Sequence, residues 1–389
     1  MPNALPPSPS VVAGVGMVTP QGLTAASTFA NLLAGQVLRD TGRVDLVADG
    51  SDRVSQLATH AARDALADAG WSAADVSGSR TALIVGTSKG PVERWITEAQ
   101  ELVGRAPKPL RGLASAPTDK LDTPRLGIHT LLADLRTLLN IHPEYAQTYC
   151  AACASGLHAL IVADQLLRAG QCDRALVVAS ESSIGPLFQA NFARLGVLAP
   201  PGYGCRPFDR QRRGFVLAEA AAAVCLDRRP RPAGVTIAKT LMLADAHHLT
   251  GIDPDAATLR HMLRHLRAAG PVDLVHAHGT GTDQNDPAEL AAIESELADS
   301  HPAVYSHKAA LGHTQGAAGL LSVALNVLAH RAQQLPRNAA TSDPIAVTQC
   351  RLEGAPSASP IRSSIAIAAG FGGPMAGITL AQALETKDV

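Results

Sequence analysis

Short runs of β-branched and apolar residues, closed by glycine and separated by longer amphipathic stretches, recur along the chain: Val11 to Val15, Thr81 to Gly86, Ala175 to Ala179, Val272 to His276 and Ser364 to Ala368. Such runs predict strands buried on both faces, and the helical patterns between them predict a layered α/β fold. The pattern also echoes itself. Ser155-Gly156-Leu157-His158-Ala159-Leu160 resembles Ala318-Gly319-Leu320-Leu321-Ser322-Val323, Thr81 to Ser88 resembles Val272 to Thr282, and Ala175 to Ser183 resembles Ser364 to Gly373. Two similar halves are therefore expected, residues 1–230 and 231–389, joined at the Arg-Pro-Arg-Pro stretch near Pro230 to Gly234. From Gly90 to Pro143 scattered prolines and mixed charges break the pattern, apart from a helical stretch at Leu126 to Leu139, and predict an insertion over the first half.

Cys153 stands where an extended, polar approach gives way to the apolar helical run Leu157 to Leu167. A helix starting at or just after it would surround the sulfur with unpaired N–H groups and the positive end of the macrodipole, favouring thiolate. The segment by itself leaves two readings open, a reactive nucleophile or a small buried cysteine.

Composition narrows the function classes. The 389 residues carry a formal net charge of −1, which offers no general attraction to nucleic acid or to an anionic membrane surface. The apolar runs fall short of a membrane span and the Pro-rich start lacks the features of a secretory signal, so a cytoplasmic protein is expected. Six cysteines without framework spacing argue against a disulfide scaffold. Cys150 and Cys153 have the spacing of a redox pair, and His276 with His278 resembles part of a metal site; both signals are weak, and Cys150 and His276 are expected to pack behind the site. No metal is expected.

Three further segments place ionisable residues in Gly-rich turns after predicted strands, where open α/β sheets hold ligands. These are His276 to Thr282 with Asp286 and Glu289, Ser306 to His313 running into Gly316-Ala317-Ala318-Gly319, and Gly370-Phe371-Gly372-Gly373.

With Ala13 to Pro20, Arg206-Pro207-Phe208-Asp209 and Gly214-Phe215-Val216-Leu217, these segments make nearly the whole chain resemble the β-ketoacyl synthase family, in its elongating Cys-His-His form. The resemblance implies a thiolase-like α/β fold: two similar βαβαβαββ-type halves in a five-layered α-β-α-β-α arrangement. It implies an acyltransferase of the 3-oxoacyl-[acyl-carrier-protein] synthase type, acting in fatty-acid or polyketide synthesis. Cys153 would take an acyl group from a carrier-protein or coenzyme A thioester and condense it with a malonyl-type unit, with loss of CO2. No cofactor is implied beyond the phosphopantetheine of the acyl carrier protein. The partners implied are that carrier protein and a second subunit, identical or homologous. The alternative is a catalytically silent, chain-length-controlling partner subunit, which usually lacks the nucleophile.

An enolate forming from a malonyl thioester needs donors at its oxygen and no nearby carboxylate, a task that suits His278 and His313 if both are neutral. The resemblance gives the backbone N–H groups of Cys153 and Phe371 a second oxyanion hole, with Gly370, Gly372 and Gly373 permitting the turn. Lys308 is expected to hold a water or the loop near the histidines, balanced by Glu289. Thr280 and Thr282 are expected to bind the extender or its pantetheine arm, with Gly372 also at the substrate, and Asp286 to close the loop after the threonines. Arg206, Arg210, Arg212 and Arg213 are the best sequence cluster for an acidic carrier protein. Three departures stand out. Pro374-Met375 replaces the family's Thr-Asn, Ala218, Ala220 and Ala222 replace glycines, and Gly90 to Tyr149 matches poorly.

Overall fold

A computed structural model describes residues 9–105, 127–231, 234–352 and 360–383. The beginning of the Pro-rich N-terminus, residues 106–126 of the predicted insertion and the two middle residues of the inter-half link lie outside the described residues. The described elements of the first half are β1 (Val11–Val18), α1 (Ala25–Leu33), α2 (Arg53–Ala69), β2 (Gly78–Gly86), α3 (Val92–Arg105), α4 (Thr130–Leu139), β3 (Pro143–Tyr149), α5 (Ser155–Arg168), β4 (Arg174–Glu181), α6 (Pro186–Arg194) and β5 (Ala220–Asp227). In the second they are β6 (Val235–Ala244), α7 (Ala257–Arg267), β7 (Leu274–His276), α8 (Asn285–Glu296), β8 (Ala303–Tyr305), α9 (Lys308–Leu311), α10 (Ala318–Ala332), β9 (Ser363–Ala369) and β10 (Pro374–Gln382).

The strands join in the order β3-β2-β4-β5-β1-β6-β10-β9-β7-β8. Numbered within its own half, each set reads 3-2-4-5-1 inward from opposite ends, and the pairing directions agree. β2 is parallel to β3 and β4 as β7 is to β8 and β9, while β5 is antiparallel to β1 and β4 as β10 is to β6 and β9. The halves are thus two copies of one topology. Only two residue pairs, Val11 with Thr236 and Val12 with Val235, join β1 to β6. Every echo in the sequence falls on equivalent elements: α5 on α10, β2 on β7, β4 on β9.

The core confirms five layers. α2 and α4 cover the outer face of the first half's strands, α7 and α8 that of the second, and α5 and α10 fill the middle against both. Small residues allow this packing. A β-carbon on Gly156 would lie 3.0 Å from Leu320 Cβ, and one on Gly319 would lie 2.9 Å from Leu157 Cβ. The alanines that replace family glycines leave β5 regular, with Ala222 paired to Met17 on one side and to Ala179 on the other. Among the described residues no helix is long and apolar enough to cross a membrane.

On β1, Gly16 faces α2 so closely that an added methyl would sit 2.2 Å from the Ala61 carbonyl and 2.3 Å from the Ala65 nitrogen, both backbone atoms. Gly16→Ala is therefore expected to cost about 3 kcal/mol, seen as a lower urea midpoint with an unchanged slope.

Candidate active site

Six loops converge on one point, each following a parallel strand of one half or the other. They follow β2, β3 and β4 in the first half and β7, β8 and β9 in the second. The loop after β3 brings Cys153, two residues ahead of the first residue of α5. Ala152 holds the left-handed conformation at φ +47°, a cost of roughly 1–2 kcal/mol for a residue with a side chain. The Ser155 hydroxyl fixes this turn by donating to the Ala152 carbonyl (2.6 Å) and accepting the Ala151 N–H (2.9 Å). Burial raises the Cys153 thiol pKa, against the pull of Lys89, Lys308 and the Phe371 N–H, which favour the thiolate. The helix start expected from the sequence is present, yet desolvation outweighs the charges around the sulfur, so the resting group is a thiol.

The loop after β7 carries His278. Glu289 on α8 accepts the N–H of His278 at 2.6 Å and that of Gly279 at 2.8 Å, and so clamps the loop backbone. Lys308, buried at the start of α9, donates its ammonium to the His278 carbonyl. Burial lowers the Lys308 pKa, and Glu289 opposes this through space. Lysine and glutamate therefore grip opposite polar groups of one peptide segment. Asp286 accepts the N–H groups of Phe208 (2.7 Å) and Gly281 (3.0 Å), closing the turn that contains Thr280 and Thr282. The two threonine hydroxyls bond each other at 2.8 Å on the cavity wall.

His313 precedes α10, its ring 5.7 Å from that of His278 between centroids and nearly perpendicular to it. Phe215 packs edge-on against it at 4.7 Å. Burial and the Lys308 charge push both imidazoles well below their ordinary pKa, so both are neutral near pH 7. Their tautomers follow from their neighbours. Nδ1 of His278 accepts the Ala369 N–H (3.4 Å) and Nδ1 of His313 accepts the Gln315 N–H (3.2 Å), which leaves the proton of each ring on Nε2.

After β9, Gly372 and Gly373 take φ of +88° and +93°, and Gly373 has no room for a side chain, since a β-carbon would lie 1.8 Å from the Asp245 carbonyl. Pro374 begins β10 and its carbonyl accepts the Gly370 N–H at 2.9 Å, which closes the turn without the family's Thr-Asn pair. Cys153, His278, His313, Thr280, Thr282 and Phe371 all line one cavity of about 1040 Å³. Asp245, His247 and Asp283 line it as well.

Other sequence readings fare differently. His276 is buried with both ring nitrogens engaged, Nδ1 donating to Asn326 Oδ1 (2.9 Å) and Nε2 facing His307 Nδ1 (2.9 Å). Cys150 is not packed behind the site. It lies exposed just past β3, its thiol on the Ser88 carbonyl at 3.3 Å, because the edge strand β3 has no outer neighbour among the described residues to cover it. Of the arginines, Arg212 is a brace, donating to the carbonyls of Asp209, Thr282 and Asp283, and Arg210 lies 3.9 Å from Asp343. Arg206 and Arg213 stack on Tyr203, at 4.2 and 5.3 Å from its ring. Three residues were not singled out from the sequence: Lys89 and Glu181, whose charges act on Cys153, and Gln315, whose N–H fixes His313.

The family model described as the N-terminal domain of β-ketoacyl synthase matches residues 45–231, and that of the C-terminal domain matches residues 235–342. The chain is 36% identical over 205 residues to 3-oxoacyl-[acyl-carrier-protein] synthase 2 of Mycobacterium leprae, a match spanning 49% of each protein. It thus spans about half the length of that relative. It is 30% identical over 426 aligned positions to the putative polyketide beta-ketoacyl synthase 1 of Streptomyces halstedii, covering 95% of this chain and 97% of that protein. Among solved structures, the ishigamide ketosynthase/chain length factor superposes with a TM-score of 0.82 at 25% identity, over 97% of this chain and 99% of that one.

Burial lowers the pKa of His276 to about 3 and that of His330, whose Nε2 meets Ser364 Oγ at 2.9 Å, to about 4. Below the ordinary value of 6.5 the unfolded chain takes up protons that the folded chain refuses, so stability falls as pH falls through this window. Each histidine is expected to remove on the order of 2 kcal/mol between pH 6.5 and about pH 5. Urea denaturation at both pH values should show the loss, and His330→Gln should reduce it.

Proposed function

The chain belongs to the β-ketoacyl synthase family, and from that premise we propose that it condenses an acyl group held on Cys153 with a malonyl-type carrier-protein thioester, releasing CO2. The observation that carries this reading is the convergence of a nucleophile with two sets of neutral donors on one cavity. Cys153 has the Phe371 N–H at its sulfur, and His278 and His313 both carry their proton on Nε2.

In the first stage the Cys153 thiol ionises and attacks the acyl thioester, and the carrier's thiol leaves. The backbone N–H groups of Cys153 and Phe371 receive the oxyanion of the tetrahedral intermediate. In the second stage the malonyl unit loses CO2. Its thioester oxygen becomes negative and accepts the Nε2–H of both histidines. The carbanion carbon then bonds to the acyl carbonyl carbon, the Cys153 sulfur leaves as thiolate, and a β-ketoacyl thioester is released. Neutral histidines suit this chemistry because they donate without repelling one another. Glu289 suits it because its charge is held by the backbone N–H groups of His278 and Gly279, away from the enolate. Lys308 and Asp286 act as positioning residues for the His278 loop, and Thr280 and Thr282 are placed to meet the extender or the pantetheine arm.

Carrier protein docks beside the cavity, where Arg213 is exposed and Arg206 shares the Tyr203 ring with it. A second subunit, identical or homologous, completes the assembly. A silent chain-length partner would need none of these groups at Cys153, which disfavours that reading here.

Intact-mass analysis after incubation with acyl-carrier thioesters should show an adduct on the wild type and none on Cys153→Ala; an adduct that survives the substitution overturns the assignment. His278→Ala and His313→Ala should each slow malonyl-carrier decarboxylation by roughly 10²–10³-fold. Reversing Arg206 and Arg213 to Glu should weaken carrier-protein binding, whereas unchanged affinity would move the docking site elsewhere.

A further inference from the structure

Gln315 is fully buried in the turn between His313 and α10, and its backbone is left-handed at φ +48°. A residue with a side chain holds that conformation only where its surroundings fix it. Here hydrogen bonds from both ends of the residue do so. The side-chain amide accepts the Lys89 ammonium on Oε1 and donates from Nε2 to the Ser183 carbonyl at 2.9 Å, while the backbone N–H donates to His313 Nδ1 at 3.2 Å. Lysine can only donate and a carbonyl can only accept, so the amide has one orientation.

Both side-chain anchors belong to the other half of the molecule. Lys89 lies in the loop after β2 and Ser183 in the loop after β4. The Lys89 ammonium is itself placed by Ser88 Oγ at 2.9 Å and lies 5.4 Å from the centre of the Phe188 ring. Glu181, at the end of β4, accepts the Gly316 N–H at 3.3 Å, and Gly316 comes so close that an added β-carbon would lie 2.5 Å from the Ser88 nitrogen. The first half thus holds the turn at Gln315 and again at Gly316.

The main chain and the ring of His313 are held by different partners. Its N–H donates to the Val216 carbonyl at 2.7 Å and its carbonyl accepts the Ala218 N–H at 3.2 Å, which fixes the backbone. The Phe215 ring packs edge-on at 4.7 Å but cannot hydrogen-bond the ring nitrogens, so the Gln315 N–H is what marks Nδ1 as the acceptor and leaves the proton on Nε2.

We propose that Gln315 is a positioning residue for the reaction: its side chain, anchored on Lys89 and Ser183, holds the left-handed turn whose N–H sets the tautomer and orientation of His313. The inference rests on His313 as an Nε2–H donor in the proposed condensation. The half that supplies the nucleophile thereby also aims the donor.

The test combines a spectrum and a rate on the full chain. With isotope-labelled histidine, the ring-nitrogen resonances of His313 are assigned by their loss in His313→Gln, and malonyl-carrier decarboxylation is followed in parallel. Gln315→Ala removes both side-chain anchors, and Gln315→Gly removes them while accepting the left-handed turn freely. In both, the Nδ1 resonance should move from its wild-type position as the hydrogen bond is lost, and kcat for decarboxylation should fall roughly tenfold with KM little changed. An Nδ1 resonance that stays in place in either folded variant overturns the proposal. So does an unchanged rate, or a loss confined to KM. Should the alanine variant not fold, the glycine variant supplies the same two readouts. The spectrum needs no substrate, so a wild type without decarboxylation would sink the condensation reading and leave the link between Gln315 and His313 to be judged from the resonance alone.

Discussion

The geometry of the site depends on how closely α5 and α10 approach each other between the two halves. Gly156 and Gly319 set that approach, because side chains there would meet Leu320 and Leu157. Cys153 stands just ahead of one helix and His313 just ahead of the other. The spacing of two buried helices thus also sets the spacing of Cys153 and His313. The condensation proposed for these residues would tolerate little error in that distance, and a rigid apolar core transmits little.

Much of this was legible in the chain. Strong apolar runs bounded by glycine marked β1, β2, β4, β7 and β9, and the repeated pattern around Ser155 and Ala318 marked the central helix pair. The weaker strands were hidden for identifiable reasons. β5 opens on four alanines, a composition whose local preference is helical, and becomes a strand because β1 and β4 pair with it on either side. β8 is three residues long, and β3 is a polar edge strand. Cys153, His278, His313 and Phe371 were readable because each sits in a distinctive turn. Lys89 and Gln315 were not, since 226 residues separate them and only the pairing of the halves brings them together. One clue lay in the likeness of Thr81 to Ser88 and Val272 to Thr282, which sets Ser88 and its neighbour opposite His278.

Desolvation sets the protonation states throughout. It keeps both site histidines neutral, lowers Lys308 and raises Glu289 and Asp286, so each charge that persists is held by backbone partners. The result is a cavity that presents N–H groups and little net charge. In the proposed condensation, negative charge arising there meets donors that are already oriented.

The protonated resting state of Cys153 has a bearing on the protein's lifetime as well as on its reaction. Peroxides and other electrophiles attack the thiolate form, and a sulfur that burial keeps protonated is a poor target for them. Cys150, three residues away, is exposed in the single chain. If Cys153 carries the acyl group as proposed, its burial doubles as chemical durability, sparing that sulfur from gradual inactivation between turnovers.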